Sequence, residues 1–158
     1  MKIKFLLLTA LFTLLISCDS DDGANSNSFQ EVLQVSIDGI DVPVSSYTAI
    51  RTTVVGRNIL NISLSLANGG TMTVNVEGSS VAGIYDLALA SSYSIEYFPT
   101  SAGGSNATGV ISGEIDIISH DMTNKTIEVE FDETVSGFAG QSASFDIIGM
   151  ISVPYTDI

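Results

Sequence analysis

From Phe29 onward the apolar residues of this chain recur at every second position. That alternation sends one set of side chains to each face of an extended strand, whereas a helix would need apolar residues at i, i+3 and i+4. Leu60, Ile62, Leu64 and Leu66 share one face, as do Met72, Val74 and Val76, then Ile127, Val129 and Phe131, then Phe145, Ile147, Ile151 and Val153. Asp38-Gly39, Gly56-Arg57-Asn58 and Ala67-Asn68-Gly69-Gly70 supply turns between alternating runs, and Pro99 stops another run. The pattern predicts an all-β fold, a single antiparallel β-sandwich or barrel-like domain of about nine or ten strands over residues 29–158, with a turn signal every ~8–12 residues. Ile84-Tyr85-Asp86-Leu87 reads as a short extended piece, although Ile84–Ser91 could hold one helical turn, and Thr100–Asn106 reads as a loop without structure of its own.

The N-terminus is different in kind. Lys2 and Lys4 precede a 12-residue apolar run from Phe5 to Ile16, broken only by Thr9 and Thr13. The run suits the core of a signal peptide and falls short of the ~20 residues of a spanning helix. It closes on Leu15-Ile16-Ser17-Cys18, which resembles a bacterial lipobox, with the cysteine as the lipidated residue. Residues 1–17 are accordingly read as a signal-peptide helix that is removed. In the class this resembles, the cysteine carries more than one acyl chain. At ~0.8 kcal/mol per buried methylene that gives lasting attachment where a single chain does not. Residues 18–28, CDSDDGANSNS, have almost nothing to pack and form an acidic flexible tether. Asp19, Asp21 and Asp22 directly behind the cysteine resemble the surface-export signal of Bacteroidetes-type lipoproteins. The expected location is the outer membrane, lipid-anchored and surface-exposed, or otherwise facing the periplasm.

Removing 17 of 158 residues leaves 141, enough for one domain with a real core. Arg51, Arg57 and Lys125 then stand against 18 acidic residues, a net charge of −15. Such a surface repels nucleic acid and anionic headgroups, so no nucleic-acid partner is expected. The 45% hydrophobic content argues against disorder. Cys18 is the chain's one cysteine, so stability must come without a disulfide.

Several stretches together resemble the small β-rich lipoproteins of the Bacteroidetes group. They are the lipobox with its acidic tail, Val35-Ser36-Ile37-Asp38-Gly39, Gly83-Ile84-Tyr85, Gly113-Glu114-Ile115-Asp116-Ile117, His120 to Lys125, Thr126 to Phe131, and the ending Val153-Pro154-Tyr155. The likeness spans most of residues 29–156. It implies a β-rich fold and an envelope location, and it carries no activity or catalytic residues to transfer.

The residues themselves offer little catalysis. His120 is the chain's one histidine and sits in Ser119-His120-Asp121, where a solvated turn residue is expected rather than a general base. No glycine-rich phosphate loop leads into a helix. The protein is therefore read as no enzyme and as needing no cofactor. Glu114, Asp116, Glu128, Glu130, Asp132 and Asp146 lie on the polar faces of the three C-terminal strands. If those strands are neighbours the carboxylates crowd one surface, with Glu128, Glu130 and Asp132 the metal candidates, although no metal is expected. Tyr85, Tyr93, Tyr97 and Phe98 are candidates for ligand-facing aromatics. The leading expectation is a membrane-anchored, non-enzymatic binding or structural module displayed on the outer membrane, contacting a glycan, a peptide or an envelope protein. A β-barrel holding a small apolar molecule or glycan is the first alternative, and a hydrolase the second.

Overall fold

The computed structural model describes residues 29–88, 91–101, 104–105, 108–137 and 144–158, with the side chains of 100–112 and 135–137 outside that description. Its elements are β1 (Val32–Ile37), β2 (Ile40–Asp41), β3 (Val44–Val54), β4 (Arg57–Leu66), β5 (Thr71–Glu77), β6 (Gly83–Asp86) and β7 (Ser94–Phe98). They continue as β8 (Thr100–Ser101), β9 (Gly104–Ser105), β10 (Thr108–Asp121), β11 (Thr126–Gly137), β12 (Ser144–Pro154) and β13 (Thr156–Asp157). Nine of these are longer than two residues, in line with the expected strand count, and the described residues contain no helix. The Ile84 region is extended as β6, and Thr100–Asn106 carries the small β8–β9 pair instead of a bare loop.

Eleven strands form one sheet in the order β13-β3-β4-β5-β7-β10-β11-β12-β1-β2, with β6 paired to β10 beside that path. The long β10 pairs with β7 at Thr108 and Gly109 and with β6 between Glu114 and Ile117, so it takes two partners on one edge. The sheet wraps into a sandwich-like domain. Val42 N–H donates to Val35 of β1 and Ala67 N–H donates to Pro43, so the short link after β2 bridges one end of the strand order to β4 near the other. The pairing is antiparallel except for β13, which lies parallel to β3.

Local chemistry sets the register. Asp38 and Gly39 both adopt positive φ, 52° and 75°, as a type I′ turn demands, and the turn joins β1 to β2. The next hairpin turns at Val55-Gly56, one residue earlier than its Gly-Arg-Asn signal suggests, because Arg57 already pairs with Val54. Strand alternation then fills one contiguous core with Leu60, Ile62, Leu64, Met72, Val74, Val76, Ile95, Ile115, Ile117, Ile127, Val129, Ile147 and Ile151. Phe131 faces Gly149 across the β11–β12 pair. A β-carbon at Gly149 would stand 2.2 Å from the Phe131 ring, so the absent side chain is what lets the ring lie down there.

Candidate functional site

The same alternation that buries one face of β10, β11 and β12 turns the other face outward with β1 beside it, and this outward face carries a groove of about 770 Å³. Its floor is laid out by register. On β10 and β11, Glu114 stands opposite Asp132 and Asp116 opposite Glu130. On β11 and β12, Asp132 stands opposite Ile148 and Glu130 opposite Met150. Gln34 and Ser36 of β1 follow beside Met150 and Ile148. Ile84 of β6 bounds one side, next to Asp116, and Asp41 of β2 bounds the other, next to Ser36. Two columns of carboxylates therefore adjoin a column of apolar side chains, one strand spacing of ~4.8 Å away. Ile84 and Ile148 remain 64% and 52% exposed.

Among the described residues no cation lines this groove. Arg51, Arg57 and Lys125, the cations among the described residues, are engaged elsewhere. Arg51 and Lys125 both hold Asp157, at 2.7 and 3.1 Å, and Arg57 sits 3.7 Å from Glu77 and donates to Ser92. The opposed carboxylates thus have no internal counter-charge, although like charges across a strand pair repel. The condition set on the C-terminal acids is met, since β10, β11 and β12 are neighbours. Glu128 lies farther along β11 beside Ser119 and Ser152, while Asp146 accepts from Thr134 outside the groove. Among the described residues no group of three or more His, Cys, Asp or Glu is placed to hold a metal ion.

The four aromatics separate. Tyr85 and Tyr93 stack with ring centroids 4.4 Å apart, and their hydroxyls are tied to Val81 O and Ser80 Oγ, each at 2.8 Å. Burial raises the Tyr93 hydroxyl pKa. Tyr97 is buried in the core, edge-on to Phe145 at 5.3 Å. Phe98 is half-buried at the end of β7. Cys18, Asp19, Asp21 and Asp22 lie outside the described residues.

His120 is not the solvated turn residue its sequence context suggests. It is the penultimate residue of β10, half-buried, with Nδ1 2.9 Å from Ser80 O and Nε2 3.0 Å from the Tyr155 hydroxyl. A carbonyl can only accept, so Nδ1 carries the proton and Nε2 accepts from Tyr155. Burial lowers the His120 pKa, against the pull of the Ser80 carbonyl, and so favours the neutral ring. Neither nitrogen meets a serine hydroxyl or a carboxylate in these contacts. The geometry is that of a structural tie: Arg51 lies 5.3 Å over the Tyr155 ring and also donates to Gly78 O at 3.2 Å.

One residue of note escaped the reading of the sequence. Glu133 continues the inward register of Ile127, Val129 and Phe131; it is 2% exposed, and neither carboxylate oxygen has a hydrogen-bond partner. Burial pushes its pKa up to about 8. The signal was parity, since Glu128, Glu130 and Asp132 face outward or lie at the alternating positions and position 133 does not share their pattern of exposure. Compared with known proteins, the chain matches no family model, no curated protein and no solved structure.

Proposed function

We propose that this protein is a non-enzymatic binding module of the bacterial envelope, anchored in the outer membrane by a lipid on Cys18 and presenting the β10–β11–β12–β1 groove to a partner. The observation that carries the reading is the groove itself. It is open, acidic, without an internal cation, and floored in part by aliphatic side chains that stay exposed. Exposed apolar side chains gathered in a concavity are what a binding surface needs, whereas a purely solvated face has no use for them. The signal sequence, lipobox-like Cys18 and acidic tether support the anchoring half of the reading.

Two experiments test the two halves. Cys18→Ala is expected to move the protein from the membrane to the soluble fraction; unchanged fractionation rejects the anchor. A photo-crosslinking residue at Ile148 in whole cells is expected to capture an envelope component, and the same residue at Val55, outside the groove, is not. Equal capture at both positions rejects the groove as the binding surface.

A further inference from the structure

Building on the groove reading above, we infer that its occupant is a cationic, partly apolar polypeptide segment, in which lysine or arginine neighbours aliphatic side chains. Three observations select it. Two like-charged pairs, Glu114 with Asp132 and Asp116 with Glu130, face each other across β10 and β11. Arg51, Arg57 and Lys125 are all paired away from the groove, so relief of that repulsion must come from outside the described chain. The carboxylate column of β11 runs directly beside Ile148 and Met150, so a cation and an aliphatic group held a few ångströms apart cover both at once.

Other chemistries use only part of this surface. A divalent ion would neutralise carboxylates and leave Ile84, Ile148 and Met150 in water. Nucleic acid or an anionic lipid surface would be repelled. A sugar ring is commonly held by stacking on an exposed aromatic, and among the described residues the one ring in the lining, Phe131, is buried against Gly149. A basic amphipathic segment uses the charge and the apolar strip together.

The probe is a synthetic decapeptide of alternating lysine and leucine, titrated by calorimetry into the full-length protein in non-ionic detergent. A lysine–serine peptide of equal charge and calcium chloride serve as comparisons. Saturable one-to-one binding of the lysine–leucine peptide is expected, weakened about tenfold or more by the double substitution Asp116→Asn with Glu130→Gln. Ile148→Ser is expected to weaken it about fivefold or more, since one buried aliphatic side chain is removed from the contact. Glu96→Gln, which removes one carboxylate outside the groove, is expected to leave it unaltered. All of these positions are on the surface of strands, and melting temperatures confirm that each variant is folded. Equal binding of the lysine–serine peptide, equal weakening by Glu96→Gln, stoichiometric calcium uptake that excludes the peptide, or no peptide binding would each overturn the inference. Refusal of the peptide while Ile148 still captures a component in cells removes the cationic partner and keeps the groove; failure of both removes the groove as well.

Discussion

Glu133 is the residue whose chemistry most disagrees with its surroundings. Its carboxyl keeps a proton up to about pH 8 in the folded state, whereas in the unfolded chain it releases one near 4.5. Between those values the unfolded state binds fewer protons, so folding stability falls as pH rises through the window and levels off above it. The fall is at most about 5 kcal/mol, the shift converted at 1.36 kcal/mol per unit. Glu133→Gln is expected to leave stability unchanged below about pH 4.5 and to raise it above pH 8, read from urea unfolding midpoints across pH. Parallel curves for the two proteins would show that the carboxyl is not held neutral. Val55 tells a related story about legibility. A β-branched residue at φ 51° and 98% exposed opposes ordinary strand preference, and only the pairing of Arg57 with Val54 fixes the turn there. A turn signal in sequence marks that a reversal occurs nearby, and cross-strand pairing decides the residue.

At the scale of elements, the short β13 is held by side chains more than by its two residues. Arg51 of β3 reaches both carboxylate oxygens of Asp157, the carbonyl of Gly78 and the face of Tyr155, while Lys125 adds one exposed ion pair to Asp157. The two hydrogen bonds from Arg51, followed by that from Lys125, hold the Asp157 carboxyl below the usual carboxylate range. Arg51→Met is expected to lower stability by about 2 kcal/mol, since several charge-assisted bonds and a packed contact are lost together. Lys125→Met is expected to cost under about 0.5 kcal/mol, as exposed pairs usually do. Thermal melts of the two variants side by side check the order, and equal shifts would contradict it. β4, β5 and β11 were plain in the sequence because each has a buried and a more exposed face with a period of two, whereas β3 buries only Ala49 fully. β13, β8 and β9 were not, because two residues carry no period. His120 was misplaced for the same reason: its partners, Ser80 and Tyr155, are distant in sequence and nothing local announces them.

For the molecule as a whole, the candidate site was half legible. The acids of β10 and β11 could be assigned to one face from alternation alone, but their meeting required those strands to be neighbours, and the apolar column of Ile148 and Met150 needed the β11–β12 register. The tyrosines were gathered by sequence proximity and then divided by the fold, because Tyr97 follows the inward register of β7 while Tyr85 and Tyr93 meet across a loop. The strand order has a consequence for how the protein comes into being. Among the described residues, the strands paired with β1 are the short β2 and β12, whose Ser152 pairs with Val32. The earliest of the described strands thus has no long partner until β12 has been made. Such long-range closure is slow, so the edge that β1 offers stays open while the strands between it and β12 find their own neighbours.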